Sequence, residues 1–135
     1  IDPANDNMEK TVLRMNEFID ALRNRHEAEI EIHIDAKVKD LKLDMKLRHG
    51  FFFIFKTALR CMIQYSGMKQ ALINIDLQKK GLYLKMHGTS AISVTDSNNL
   101  KCMEEMKMHT ANINAELDIQ NNKTESSIVL IMPVK

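Results

Sequence analysis

The sequence predicts an α+β domain, a two-layer α/β sandwich in which a mixed sheet carries helices on one face. Two observations predict it. Apolar residues recur at helical spacing in some stretches and alternate at strand spacing in others. Their order, helix–strand–helix–strand–strand–helix–strand–strand, leaves apolar stripes that two packed layers bury.

The first helix starts near Asp6, which precedes Glu9 by three in the manner of a capping box. Met8, Val12, Met15, Ile19 and Leu22 then form its stripe. Ile30, Ile32 and Ile34 alternate with Glu31 and His33, so a half-buried strand follows. The charges from Lys37 to Lys46, with Asp40 and Asp44 among them, read as a solvated turn and a helix start. Residues 44–65 form a long central helix with Met45, Phe52, Phe55, Leu59, Met62 and Ile63 on one broad face. Gly67 stands where its C-terminus wants a glycine. Ile73, Ile75 and Leu77, then Leu82, Leu84 and Met86, alternate around a Lys79-Lys80-Gly81 turn and form a hairpin. Residues 87–99 read as a loop. Residues 100–112 read as a helix with Leu100, Met103 and Met106 inward. Leu117 and Ile119 mark a strand. After a turn over 121–127, the continuous apolar run Ile128–Met132 reads as a strand buried on both faces.

Composition narrows the function classes. The chain has 135 residues, 44% hydrophobic and 27% charged, the balance of a folded domain. Its 19 basic and 18 acidic residues leave a net charge of +1, with no basic excess to neutralise phosphates, so a nucleic-acid partner is not expected. No run reaches the roughly 18 apolar residues of a membrane span, so this segment is expected to make no direct membrane contact. A start at Ile1-Asp2-Pro3 without an initiator Met is expected of a piece of a longer protein, whose membrane anchor could lie outside it. Cys61 and Cys102 are far apart in sequence and lack metal-ligand spacing. They read as free thiols of a reducing compartment. His26, His33, His49 and His109 form no metal set either, and no metal is expected. The ten methionines read as core filling, or as an adaptable binding surface around Met103, Met106 and Met108.

The central helix carries a family resemblance. Phe53-Ile54-Phe55-Lys56-Thr57-Ala58-Leu59-Arg60-Cys61-Met62-Ile63-Gln64-Tyr65-Ser66 resembles the N-box helix of sensor histidine kinases, which reads roughly F-x-x-x-x-E-A-L-x-N-x-x-K-H-S. The opening, through Met15-Asn16-Glu17-Phe18, resembles the segment leading from dimerisation helices into the ATPase domain. Leu82 to Thr89 resembles the strand that ends in D-x-G, and Leu117 to Pro133 the last hairpin. The resemblance implies one histidine kinase-like ATPase domain over 1–135, with 1–25 as the lead-in helix from an upstream dimerisation segment.

It also implies where the site would be. The N-box Glu that activates water or orients the nucleotide region matches Thr57, and the N-box Asn that ligates Mg²⁺ matches Cys61. A hydroxyl and a thiol replace them, and a thiol suits soft metals, not Mg²⁺. The Asp that accepts from the adenine amino group matches His87. The two family glycines beyond it match Thr89 and Ala91. Of four glycines, none lies between Thr89 and Lys135, although the family's lid is glycine-rich so that backbone N–H groups can wrap the phosphates. Ser97-Asn98-Asn99 stands near the first lid motif and Ser126-Ser127 where a G-T pair would be.

Three readings follow. The first is a degenerate ATP-binding domain of a two-component sensor histidine kinase, kept as a regulatory or interaction module without ATP hydrolysis. It would have no catalytic residue and no cofactor, and would act on a protein partner or on the upstream dimerisation helices. The second is a working ATP-binding kinase domain with an atypical site that takes Mg-ATP. The third is an unrelated α/β binding domain, which helices on both faces of the sheet would favour. Under the first two the parent acts in the cytoplasm. His87, at a strand end beside Gly88, reads as a surface histidine, and Cys61 near Tyr65 as a buried thiol without a catalytic partner.

Overall fold

The computed structural model describes residues 7–134, and the Asp6 cap lies outside them. Asn7 Oδ1 accepts from the Glu9 N–H at 3.1 Å just before helix α1 (Glu9–His26). Its predicted stripe holds: Met8, Met15 and Ile19 are fully buried, with Val12 and Leu22 nearly so. Strand β1 (Glu29–Ile34) follows, then a short helix α2 (Ala36–Lys39). The charged stretch read as a solvated turn therefore contains a helical turn, because Asp35 Oδ1 accepts from the Lys37 N–H at 3.0 Å while Val38 and Leu43 anchor it to the core.

Helix α3 (Met45–Leu59) is capped by Asp44, which accepts from the Leu47 N–H at 2.9 Å. It runs on into a π-helical turn, Arg60–Tyr65. Its core face is Phe51, Ile54, Phe55 and Ala58, each 0% exposed. Met45, expected on that face, is 57% exposed at the first residue of the helix. Gly67 closes the helix as expected: its φ of +69° lets the Met68 N–H return to the Met62 carbonyl at 3.1 Å.

The hairpin β2 (Gln70–Gln78) and β3 (Gly81–Gly88) forms around Lys79-Lys80. Helix α4 (Ser97–Asn112) begins three residues before its predicted start because Asp96 caps it, accepting from the Asn98 N–H at 2.8 Å. Its buried face is Asn99, Cys102, Met106 and Thr110, and Leu100 is 49% exposed. Of the expected inward positions Met106 is fully buried and Met103 packs half-buried against the core, so only Leu100 fails; the other buried positions are polar or a thiol, which an apolar pattern does not mark. Strands β4 (Glu116–Asn121) and β5 (Ser126–Met132) complete the sheet.

The sheet order is β1-β2-β3-β5-β4, with β1 parallel to β2 and all other pairs antiparallel. Paired residues such as Ile73, Met86 and Ile128 share the face that meets the helices and are buried. Leu72, His87 and Ser127 share the opposite face, where His87 is exposed and the other two half-buried. Strand β5 is thus buried on one face only: Ile128, Leu130 and Met132 are covered, while Val129 and Ile131 are half-buried. Its unbroken apolar run reflects a position between two other strands, where neighbouring side chains shelter the outer face. The helices lie on one face of a mixed sheet, as predicted.

Candidate functional site

The positions singled out from sequence lie on α3, the π-helical turn, and the end of β3 with the loop beyond it. Helices α3 and α4 run antiparallel in close contact. At one end a Cβ on Gly50 would stand 2.7 Å from Ile113 Cγ2, and the Phe53 and His109 rings stack at 3.8 Å. At the other end Asn99 of α4 reaches Ser66 just past the π-helical turn. Thr57 (4% exposed) and Cys61 (0%) are shut inside this layer. Burial, then Cys102 and the Asp96 carboxylate, push the Cys61 thiol up to about 12, so it stays protonated at neutral pH. Burial also raises Cys102, and both thiols are free.

Above the π-helical turn, the 89–96 loop is fastened by side chains. The Asn99 amide, itself fully buried, donates to Ser66 Oγ at 3.0 Å and to the Ser93 carbonyl at 2.7 Å. The Ser93 N–H donates to Ser66 Oγ at 3.1 Å. Asn121, at the end of β4, accepts from the Ile92 N–H at 2.8 Å and donates to the Ile92 carbonyl at 3.0 Å. Ile92 is 2% exposed and belongs to the buried core. On the sheet side, Met62 and Met68 press on Gly88, where a Cβ would meet their ends at 2.6 and 2.4 Å, and Ser126 Oγ contacts Met68 Sδ at 3.9 Å. Asn99 Oδ1 is buried without a partner.

This arrangement can be set beside known structures. A histidine kinase domain of a blue-light activated histidine kinase from Erythrobacter litoralis superposes with a TM-score of 0.71 at 8% identity, over 88% of this chain and 58% of that one. The catalytic domain of histidine kinase ThkA gives 0.66 at 11% identity, over 94% of this chain and 92% of that domain. The chain has the histidine kinase catalytic-domain fold. Full-length ShkA, solved in complex with AMPPNP, gives 0.70 at 10% identity over 95% of this chain and 31% of its own length. The chain thus spans 58% of the Erythrobacter litoralis kinase domain and a smaller part of full-length ShkA. No family model matches the sequence, and no curated protein matches it.

Within the histidine kinase fold, the five matched positions do not converge. Thr57 and Cys61 are enclosed between helices and sheet. Ala91 is half-buried in the fastened loop. His87 lies on the outer sheet face, its side chain 48% exposed and 3.9 Å from Glu125. With Thr89 it borders a cavity of about 770 Å³ along β1, on the side away from Thr57. Neither donor fits a magnesium–triphosphate: a buried hydroxyl and a protonated thiol are poor ligands for a hard dication, and Asp96 adds a like charge against phosphates. Sequence reasoning placed Asn99 near the lid but missed the fastening by Ser66, Ser93 and Asn121. Short polar residues clustered in 93–99 were its one signal, and their partners lie 27 to 33 residues away.

Proposed function

We propose that this domain is a regulatory or interaction module of a two-component signalling protein, built on the ATPase scaffold and acting without ATP hydrolysis in the cytoplasm. The observation that carries the reading is the burial of Thr57 and Cys61 in the helical layer, next to a loop tied down by Ser66, Asn99 and Asn121. A phosphoryl-transfer site needs a metal ligand and donors aimed at an open phosphate position. Here the side chains at those levels are buried, and the thiol is held protonated. Signal would pass through packing against upstream helices or a protein partner. Isothermal titration with Mg-ATP and with a non-hydrolysable analogue should give no heat, and micromolar binding overturns the reading.

A working kinase domain with an atypical site is the second reading. The likeness to ShkA, solved with AMPPNP, favours it. Under it, the longer parent protein should autophosphorylate with ATP, and replacement of Thr57 or Cys61 by bulky residues should abolish the label.

A further inference from the structure

Among the described residues, strand β1 is an edge strand with one neighbour, β2. The Glu29 N–H donates to the Lys69 carbonyl at 2.8 Å and the Asp35 N–H to the Ile75 carbonyl at 2.9 Å. Odd-numbered residues therefore point their backbone groups at β2, and Ile30, Ile32 and Ile34 point theirs outward. Arg23 takes the Ile30 carbonyl through Nε at 3.1 Å and through a second, shorter bond from Nη2. The same guanidinium holds Asp20 at 2.9 Å. Arg23 thus stops the edge at one end, and the Ile32 N–H and carbonyl remain turned away from β2, beside a cavity of about 770 Å³ that Ile32 borders.

The side chains beside this edge are sorted by face. Ile30 and Ile32 lie toward the helices, while Glu29 and Glu31 lie on the outer face with Gln70 and Leu72 of β2. Glu31 is 68% exposed, and among the described residues its ion-pair partner is His33 at 2.5 Å, a group that is neutral unless protonated. The cavity's own Arg23 is already committed to Asp20 and to Ile30. The groove therefore offers backbone partners, an apolar side and an uncompensated acidic side.

We propose that the β1 edge receives an extended segment of a partner protein as a sixth strand, with apolar residues against the half-buried Ile32 and Ile34 and lysine or arginine opposite Glu29 and Glu31. Strand addition takes affinity from main-chain hydrogen bonds and specificity from alternate side chains, and opposite-charge cross-strand pairs add to it. The inference concerns a different edge of the molecule from the nucleotide reading and stands whether or not nucleotide binds.

The test uses the 135-residue chain and a fluorescein-labelled, end-blocked peptide of three Val-Lys repeats, read by polarisation. The wild type should bind it, and a Val-Glu peptide at least roughly tenfold more weakly. Ile32→Pro removes an N–H that the β1–β2 ladder does not use, so the sheet should tolerate it while peptide affinity falls roughly tenfold or more. Glu29→Gln with Glu31→Gln should cut affinity about fivefold and flatten its salt dependence. If Ile32→Pro fails to fold, hydrogen exchange on the wild type decides: the Ile32 amide should exchange fast alone and slowly with peptide. No binding by the wild type, equal binding of both peptides, or an affinity indifferent to Ile32→Pro overturns the proposal. So does self-association of the peptide-free chain that Ile32→Pro abolishes, since a second copy would then own the edge.

Discussion

Replacing Ser66 and Asn99 tests whether the loop is fastened as described. Ser66 Oγ accepts from the Asn99 amide at 3.0 Å and from the Ser93 N–H at 3.1 Å. Ser66→Ala removes both bonds, each contributing about 1 kcal/mol, and leaves a half-buried N–H without a partner. A loss near 2 kcal/mol is expected. Asn99→Ala removes the bonds to Ser66 and to Ser93, also about 2 kcal/mol, and the departure of the partnerless Oδ1 offsets part of it. The two residues share one bond directly. The double variant should therefore lose about 1 kcal/mol less than the sum of the singles. Urea unfolding of the four proteins measures this, provided all four give the same slope. A coupling below about 0.3 kcal/mol, within ordinary additivity, would mean that the bond does not hold α4 to the π-helical turn, and the argument for a closed site would fail with it.

Two glycines make a matched pair. Gly81→Ala should cost about 3 kcal/mol or more, because φ is +143° and the new Cβ would sit 2.1 Å from the Met132 carbonyl oxygen, a backbone atom that cannot swing aside. Gly67→Ala, at φ +69° with nothing within 4 Å, should cost only about 1 kcal/mol; equal losses in thermal melts would refute the distinction. Cys61 gives a pH prediction. Its folded pKa of about 12 lies above the ordinary 9.0, so the folded state holds the proton more tightly. Its contribution is intact below pH 9 and is lost as pH rises from about 9 to 12, with a ceiling of about 4 kcal/mol. Stability of Cys61→Ala should fall less steeply than wild type across that window, and an aromatic disulfide reagent at pH 8 should label Cys61 only once denaturant unfolds the chain. Thr57→Glu places a carboxylate at a position 4% exposed and should destabilise by several kcal/mol without creating nucleotide heat in calorimetry.

What the sequence made legible follows from how strongly each element repeats. Helix α1 and strands β1 to β3 have uninterrupted periods, so burial at Met15, Ile19, Ile73 and Leu84 matches the expectation. Helix α4 has a weak period, since its core face is Asn99, Cys102, Met106 and Thr110 while Leu100 and Met108 face water. A count of apolar residues finds only Met106 of this face. The three-residue error at its start has the same source, because the decisive residue is the cap Asp96 and not an apolar one. The burial of Cys61 was legible from its helix, and the structure has it at 0% exposed, but the fastening of the neighbouring loop was not: it depends on contacts such as that between Ser66 and Asn99, 33 residues apart. His87 illustrates the opposite limit. Strand alternation alone puts it on the face opposite Met86, yet motif matching set it beside Thr57 and Cys61.

The fastened loop also sets the scale of any nucleotide affinity. Gly67 and Gly81 have positive φ, as do Glu27 and Asn114; no residue of the 89–96 loop does, and the loop contains no glycine. Its backbone is ordinary, so closure rests on side-chain bonds and on buried Ile92. Opening it breaks four of these, at the N–H and carbonyl of Ile92 and of Ser93. At a net of about 1 kcal/mol each, the open form lies about 4 kcal/mol above the closed one, a population near one in a thousand. A ligand that needs the open form then binds about a thousandfold more weakly than its intrinsic affinity, which would turn a micromolar site into a millimolar one. Loosening should therefore recover binding if a competent site lies underneath. Asn121→Ala with Ser66→Ala removes three of the four bonds, and the reading of an inactive scaffold requires that Mg-ATP still give no heat with that variant. Heat at micromolar concentration would mean that the loop, and not the hydroxyl and thiol at Thr57 and Cys61, had been the obstacle.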